Sequence, residues 1–243
     1  MSVHANIEPL VWENQFFFAG DSVSAKLVFR DEAPLLTTEC LQSYRLLQAK
    51  VASQQHQLVD QLMASGFQLV ESEVDCVFTK AQLVNDDQRP LASSLRLATS
   101  ADRQALTAIA RQSFRLSRFR APWYHASASS DFYAQWVVNA IGGQFDDECW
   151  LWQDALSPPQ GFITLRWLPQ KQARIGLLAV NQQQQKQGIG QQLLQLALHR
   201  CQQQGIERLL VATQLSNLAA LNLYLRYQAK ISQTAYWLYR TPL

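Results

Sequence analysis

Two glycines follow Gln185 in the spacing Gln185-x-x-Gly188-x-Gly190, between an apolar run and an amphipathic segment. The apolar run at residues 175–180 predicts a buried strand, and the leucines at helical spacing after the glycines predict a helix. Glycine lets the backbone approach a ligand closely, and the first N–H groups of a helix, which have no intrahelical partner, attract an anion. The spacing therefore indicates a phosphate-binding turn, although a glycine turn without a ligand is an equally good interpretation of this motif alone.

A second stretch carries a residue that can donate a proton. Asn217 and Tyr224 are seven residues apart, which places both on one side of a predicted helix. A tyrosine hydroxyl, with a reference pKa of about 10, is neutral at pH 7 and can protonate a thiolate that leaves during acyl transfer. Because the reference pKa of a free thiol is about 8.5, the site must disfavour the thiolate, most simply by desolvation. Core packing is the competing interpretation of Tyr224.

Together these stretches resemble the acyl-CoA-binding motif and the following helix of the GCN5-related N-acetyltransferases. The family motif is Gln or Arg, two variable residues, Gly, one variable residue, and then Gly or Ala. Ala220, Leu223 and Tyr224 fall where the family's helix pattern has them. The resemblance implies acetyl-CoA as co-substrate, no metal, direct attack by an amine, and Tyr224 as proton donor. The residues that it implies for acetyl-CoA binding are Leu178, Ala179, Val180, Gln185, Lys186, Gln187, Gly188, Ile189, Gly190, Gln191, Asn217 and Leu223.

One position departs from the family pattern. A glycine normally ends the helix after the tyrosine, whereas this chain has Gln228 followed by Ala229. A glutamine in the left-handed conformation that glycine adopts there costs about 1 kcal/mol. We expect the helix to end either at this cost or in another way, and the assignment of Tyr224 depends on neither.

Longer segments are similar to those of family members that acetylate a dTDP-linked amino sugar. The similarity covers nearly the whole chain. It implies transfer to the 4-amino group of dTDP-4-amino-4,6-dideoxy-D-galactose, which gives dTDP-4-acetamido-4,6-dideoxy-D-galactose for synthesis of the enterobacterial common antigen. A homodimer is a further expectation. The segments that carry the similarity are residues 7–14, 33–39, 117–124, 132–136, 173–179, 208–214 and 234–240.

Residues 115–124 combine arginines with aromatic side chains, a composition that suits a sugar nucleotide. Arginine pairs in a forked geometry with diphosphate oxygens, and aromatic rings stack on a base or on the apolar face of a sugar. We therefore expect Arg118, Arg120 and Tyr124 to bind the substrate; an exposed basic loop anchored by aromatics is an equally good interpretation. His125 reads as a surface or packing residue. The acidic residues 146–148 are candidates to accept a proton from the sugar ammonium, but acidic loop tips are usually solvated, so no general base is assigned and a chain of water molecules would suffice.

The overall composition excludes several classes of protein. The chain has 243 residues, 48% of them hydrophobic, and a formal charge of +2, which is too small to argue for nucleic acid or an anionic membrane. Four widely separated cysteines indicate neither a zinc site nor a disulfide framework, so a cytoplasmic location is expected. The N-terminal stretch does not look like a signal peptide, and no apolar run reaches the roughly 18 residues of a membrane span.

These elements predict an α/β protein. The resemblance implies a GCN5-related N-acetyltransferase fold at residues 91–243, with a mixed, mostly antiparallel sheet flanked by helices. It is preceded at residues 1–90 by a smaller, partial copy, and the polar residues 85–90 are a plausible linker. Strands are predicted at residues 23–29, 95–98, 149–153, 161–167, 175–180, 208–213 and 232–239, and one or two strands at residues 67–78. Helices are predicted at residues 38–50, 54–64, 103–114, 131–141 and 217–227, and after the glycines.

Two other functions remain open from the sequence. The first keeps the acetyl transfer and changes the acceptor to a peptide amine, which an acidic acceptor groove would favour. The second is a non-catalytic module that only binds acyl-CoA. Replacing Tyr224 by phenylalanine separates the second from an enzyme, since a binding module has no turnover to lose.

Overall fold

The computed structural model describes residues 3–21, 23–84, 93–155 and 157–241. The strands within these ranges are β1 (Ala5–Pro9), β2 (Ser24–Phe29), β3 (Leu46–Ala52), β4 (Gln68–Thr79), β5 (Leu95–Leu97), β6 (Glu148–Trp152), β7 (Gly161–Leu168), β8 (Gln172–Val180), β9 (Arg208–Gln214) and β10 (Lys230–Arg240). The α-helices are α1 (Val11–Phe17), α2 (Thr38–Gln42), α3 (His56–Ala64), α4 (Lys80–Val84), α5 (Arg103–Ser113), α6 (Ala128–Ile141), α7 (Ile189–Gln203) and α8 (Leu218–Arg226).

The described residues form two compact units. The first unit comprises those of residues 1–74, 117–128 and 233–243, and the second those of residues 75–116 and 129–232. Two later segments of the chain therefore group with the N-terminal residues. The predicted boundary between residues 90 and 91 and the predicted linker at residues 85–90 lie outside the described residues, and the two predicted domains stay a prediction.

In the first unit, strands pair around a small apolar core. β2 is antiparallel to β1 and parallel to β3, and β3 is antiparallel to β10. The core between these strands and α3 is built from side chains that are at most 5% exposed, among them Leu27, Leu47, Val51, Leu62 and Leu238. The predicted strand at residues 23–29, the helix at residues 54–64 and the strand at residues 67–78 are confirmed.

The predicted helix at residues 38–50 is wrong in its second half. α2 ends at Gln42, and β3 begins at Leu46. Leu47, Ala49 and Val51 are fully buried at alternate positions, and the strand pairs with β2 on one side and β10 on the other. Tertiary pairing thus overrides the helical propensity of leucine, alanine, glutamine and lysine in this stretch. The elements β1, α1 and α4 are further differences from the predicted pattern.

In the second unit, strands β5, β6, β7 and β8 pair antiparallel in that order, and β9 joins β8 in parallel. β7 and α7 contribute side chains with no solvent exposure, including Phe162, Leu165, Leu193 and Leu194. The predicted mixed, mostly antiparallel sheet flanked by helices is confirmed. The elements predicted between residues 95 and 239 are all present, with bounds that differ by a few residues.

No helix of the described residues has the length and apolar character that crossing a bilayer requires. The cytoplasmic location and the homodimer stay predictions.

Candidate active site

The turn before α7, residues 185–190, is termed the glycine corner. Gly188 has a φ of +85°, in the left-handed region, and its carbonyl oxygen accepts hydrogen bonds from the amides of Gln191 and Gln192 at 3.0 and 3.1 Å. Within the described residues, no backbone N–H of the glycine corner donates to a protein acceptor. A Cβ placed on Gly188 would meet only the Gln191 side chain, at 3.9 Å. Side chains therefore leave the space beside Gly188 open.

Gly190 lies where the end of β8 meets α8. A Cβ built on Gly190 would be 3.7 Å from Leu223, 3.8 Å from Val180 and 4.0 Å from Leu178. These are ordinary van der Waals distances, so the three side chains pack against Gly190 in the first turn of α7. The structure thus brings together the predicted acetyl-CoA residues from β8, from the glycine corner and from α8.

The two strands beside the corner are paired over only part of their length. The parallel register of β8 with β9 starts with Gln172 opposite Arg208 and ends with Ile175 opposite Val211. β8 continues to Val180 and is paired there with β7. Among the described residues, the other edge of β8 beyond Ile175 has no partner in β9, which leaves backbone groups for an extended ligand to pair with.

Tyr224 lies on the inner face of α8. The residue is 4% exposed, and the ring of Phe78 packs edge-on against it with 6.4 Å between centroids. Burial, and secondarily the nearby Cys76, raise the pKa of the Tyr224 hydroxyl above its ordinary value. A raised pKa favours the neutral phenol, so Tyr224 carries its proton throughout the physiological pH range.

α8 ends in the left-handed conformation at Gln228, where the family has glycine. Gln228 has a φ of +63°. Its amide donates to the carbonyl oxygen of Leu225 at 2.9 Å, and the Ala229 amide donates to that of Tyr224 at 3.0 Å. These two bonds close the helix in the pattern that a C-terminal glycine usually forms, and they offset part of the conformational cost of glutamine.

Asn217 caps α8 and ties it to the end of β9. Its side-chain oxygen accepts from the amide of Ala220 at 3.3 Å, and its side-chain nitrogen donates to the Thr213 hydroxyl at 3.0 Å. An asparagine side chain has two N–H donors, and the Thr213 bond uses one of them. Asn217 therefore positions the helix that carries Tyr224.

Known proteins show the same combination of elements. The sequence pattern of the Acetyltransferase (GNAT) family matches residues 105–228. The dTDP-fucosamine acetyltransferase of Escherichia coli O6:H1 is 42% identical over 240 residues, which cover 99% of this chain and 100% of that protein. The chain belongs to the GCN5-related N-acetyltransferase family. The family match includes the glycine corner and Tyr224.

Solved structures are similar to this acetyltransferase at the level of the fold. A GCN5-related N-acetyltransferase from Sphaerobacter thermophilus has a TM-score of 0.61 at 13% identity and covers 98% of this chain and 76% of its own. A tandem GNAT protein from the clavulanic acid biosynthesis pathway has a TM-score of 0.59 at 9% identity, over 90% of this chain and 75% of its own. Identities this low concern the fold alone, and the predicted acetyltransferase fold is confirmed.

Arg118, which the sequence predicts to bind substrate, is bonded to its own unit. Its guanidinium donates to Glu13 at 3.0 Å, to Gln48 at 2.7 Å and to the Tyr239 hydroxyl. The rings of Phe119 and Trp237 each lie 4.1 Å from it. Although desolvation opposes the charge, the Tyr239, Glu13 and Tyr124 side chains raise the pKa of Arg118 above its usual value, so it is a permanent cation in the acetyltransferase.

Tyr124 and Arg120 are the other two predicted substrate residues of this segment. The Tyr124 hydroxyl donates to Glu13 at 2.8 Å and accepts from Gln48 at 2.7 Å, and desolvation is the first cause of its raised pKa. Arg120 is exposed, and it donates to the carbonyl oxygens of Val70 and Ala121, both at 3.1 Å. The three side chains thus already have protein partners, and their role in binding substrate stays a prediction.

Two of the acidic residues at 146–148, Asp146 and Glu148, are largely removed from solvent, contrary to the sequence-based expectation, whereas Asp147 is exposed. The Asp146 side chain has no exposure and accepts hydrogen bonds from Trp136 at 2.7 Å and Arg166 at 3.0 Å. Glu148 is bound at 2.6 Å by a guanidinium nitrogen of Arg200. The reason is tertiary, because the aromatic and basic partners come from α6, β7 and α7. His125, in contrast, is exposed as predicted.

Sequence reasoning missed the partners of these groups. Glu13, Gln48 and Tyr239 are far from Arg118 in the chain, and no spacing pattern links them to it. The acidic side chain of Glu13 was the one sequence feature that pointed to a partner for Arg118, and it belongs to no motif. In the ranges that the structure describes, no group of three or more histidine, cysteine, aspartate and glutamate side chains is arranged to hold a metal ion.

Proposed function

We propose that this acetyltransferase moves the acetyl group of acetyl-CoA to the 4-amino group of dTDP-4-amino-4,6-dideoxy-D-galactose, giving dTDP-4-acetamido-4,6-dideoxy-D-galactose for synthesis of the enterobacterial common antigen. The acceptor is supported by the 42% identity, along essentially both whole chains, to a protein named dTDP-fucosamine acetyltransferase. The observation that supports acetyl-CoA as the acetyl donor is the glycine corner, since within the described ranges its backbone N–H groups have no protein acceptor.

The donor site is proposed to consist of main-chain groups from two elements. The N–H groups of Gln187, Gly188, Ile189 and Gly190 bind the diphosphate, aided by the positive end of the α7 dipole. The free edge of β8 at residues 178–180 pairs with the pantetheine arm as an added strand would. Gln185, Lys186, Gln191, Asn217 and Leu223 complete the proposed lining. The open space beside Gly188 fits such a ligand.

Tyr224 is proposed to protonate the sulfur that leaves. Acetyl-CoA supplies a thioester, the sugar amine attacks its carbonyl carbon directly, and the thiolate departs. In water the proton transfer from a phenol would be uphill by about 2 kcal/mol. Burial raises the pKa of Tyr224 as well, so the site must raise the pKa of the leaving thiol by more, by desolvating the departing thiolate. The interior of the same unit illustrates the effect, because burial first, and then the acidic neighbours of each thiol, raise the pKa of Cys149 and Cys201 to about 12.

No side chain is assigned as the general base. The Asp146 carboxylate is already bonded to Trp136 and Arg166, and the Glu148 carboxylate to Arg200. The ammonium proton of the acceptor therefore passes to water in this proposal, by way of a chain of water molecules. Direct attack agrees with the absence of a motif for a nucleophilic serine or cysteine from the sequence.

Arg118, Arg120 and Tyr124 are proposed to contact the nucleotide sugar. Of the three, Arg120 is the best placed to pair with diphosphate oxygens, because it is exposed and is bonded to backbone carbonyls rather than to a buried carboxylate. A pocket of about 410 Å³ in the same unit has Trp123, Phe18 and Arg45 in its walls. Aromatic walls with one arginine suit a nucleotide, which supports the proposal.

The experiment is a thiol-release assay of the full chain with acetyl-CoA and one acceptor at a time. We expect rapid release of thiol with dTDP-4-amino-4,6-dideoxy-D-galactose and only slow release with a lysine-containing peptide or with glucosamine. Thiol release with the peptide alone would overturn the acceptor while keeping the acetyl transfer. Binding of acetyl-CoA without release in any assay would indicate a non-catalytic module.

A further inference from the structure

A bulge interrupts the pairing of β8 with β7. Ile163 lies opposite Leu178 and Leu165 opposite Ile175, so Thr164 faces two residues of β8, Gly176 and Leu177. The amide of Leu177 donates to the Thr164 hydroxyl at 2.8 Å, and Thr164 has no solvent exposure. The Thr164 side chain thus accepts the hydrogen bond for which the bulge leaves no backbone acceptor on β7.

The Asp146 carboxylate lies against Gly176 on the same side as the Thr164 hydroxyl. A Cβ on Gly176 would lie 2.2 Å from an Asp146 carboxylate oxygen and 2.7 Å from the Thr164 hydroxyl, so only glycine fits. The carboxylate is held in place by Trp136 and Arg166 and is shielded completely from solvent. Charged hydrogen bonds to two different elements leave it little freedom to move.

The bulge lies at the point where the pairing of β8 with β9 ends. The last parallel pair is Ile175 with Val211, and the bulged residue Gly176 follows immediately. Beyond it come residues 178–180, whose side chains at positions 178 and 180 surround Gly190. Because a bulge bends a strand and increases its twist, its position decides where the free edge of β8 points.

We propose that Asp146 and Thr164 are positioning residues for acetyl-CoA. By fixing the bulge at Gly176 and Leu177 they set the direction of the β8 edge and its distance from the glycine corner. They touch no reacting atom and act through the backbone of β8. The proposal rests on the proposed function, because it needs the co-substrate to lie along residues 178–180.

The first test compares Thr164→Val with Thr164→Ser. Valine has the shape of threonine without the acceptor, whereas serine keeps the oxygen. We expect Thr164→Val to raise the KM for acetyl-CoA about tenfold and leave kcat within about threefold, and Thr164→Ser to keep KM within about twofold. Amide hydrogen exchange of residues 177–180 should accelerate in the valine variant alone. An unchanged KM in Thr164→Val, or equal changes in both variants, would overturn the proposal.

The second test compares Asp146→Asn with Asp102→Asn. Both aspartates are buried in the second unit and both are bonded to an arginine, Asp102 to Arg96 at 2.7 and 2.8 Å. We expect both variants to lower Tm, and only Asp146→Asn to raise the KM for acetyl-CoA, again by about tenfold. Equal KM changes would show that lost stability explains the effect and would contradict a positioning role.

The outcomes also separate this inference from the choice of acceptor. Calorimetric binding of acetyl-CoA by the unaltered protein, with weaker binding by Thr164→Val and no acetylation of the dTDP sugar, would overturn only the acceptor. Acetylation of the sugar with equal acetyl-CoA affinity in all four variants would overturn only the positioning role.

Discussion

The glycine corner and the arginine- and aromatic-rich segment at residues 115–124 both have a composition that suits a charged ligand, but they differ in what they bind within the protein. Among the described residues, the backbone N–H groups of the corner have no protein acceptor. Arg118 and Tyr124 of the other segment instead bind Glu13 and Gln48 of their own unit. One pattern leaves its donors open, and the other satisfies most of them internally.

The difference has a physical cause. The first amides of a helix cannot be satisfied by the helix itself, so a strand, glycine turn and helix leave donors free by construction. A guanidinium or a phenol is a donor on a flexible side chain, and a buried carboxylate of the same protein competes for it with any ligand. Main-chain sites are therefore easier to predict from sequence than side-chain sites.

The largest expected effect is on kcat, and it comes from Tyr224 in the second unit. Tyr224→Phe removes the proton donor and leaves the helix intact, so kcat should fall by about 10²- to 10⁴-fold while the affinity for acetyl-CoA changes little. Thiol release and calorimetry measure the two quantities. Tyr227→Phe, at the end of the same helix, is the control and should keep kcat. Full activity in Tyr224→Phe would show that this phenol is only a packing group.

In the first unit the expected effect is on stability. Arg118→Ala leaves the Glu13 carboxylate buried without its cation and should lower the free energy of unfolding by about 3 kcal/mol. Arg120→Ala, which removes bonds to two backbone carbonyls from an exposed side chain, should cost less than about 1 kcal/mol. Denaturant titration measures both. If Arg118→Ala were as stable as the unaltered protein, the contrast between the two regions would be lost.

The two glycines of the corner should respond differently to alanine. Gly188→Ala places a side chain in the left-handed region and should weaken acetyl-CoA binding about tenfold. Gly190→Ala adds a methyl group at ordinary contact distance from Leu223, Val180 and Leu178, so its effect should stay within about threefold. Calorimetric titration distinguishes them. Equal losses in both variants would mean that backbone conformation at Gly188 is not what matters.

The smallest expected effect concerns pH, because kcat should stay constant over a wide pH range. Burial raises the pKa of Tyr224, and the protonated form is the competent one, so activity is kept below that raised pKa and lost only as pH rises through it. The kcat at saturating substrates should therefore not fall between pH 7 and about 10, the ordinary tyrosine value. A decline centred at or below about pH 9 would point to another acid.

Sequence and structure agree best where local pattern decides the outcome. The glycine corner, the spacing of Asn217 and Tyr224, and the strand before them are local features, and all were predictable. β3 was not, because its burial depends on β2 and on β10, which lies at the far end of the chain. The Asp146 carboxylate was mistaken for a solvated group for the same reason, since Trp136 and Arg166 come from separate elements.

The central claim is that main-chain groups of the glycine corner bind the diphosphate of acetyl-CoA. It is tested by comparing two acetyl donors, with and without the diphosphate, in the unaltered protein and in Gly188→Ala. S-acetylpantetheine carries the thioester but no diphosphate, so the ratio of kcat/KM for acetyl-CoA to that for S-acetylpantetheine reports what the diphosphate contributes. If the corner binds the diphosphate, Gly188→Ala should lower this ratio about tenfold by weakening acetyl-CoA alone. An unchanged ratio, with both donors impaired equally or neither impaired, would contradict diphosphate binding by the glycine corner.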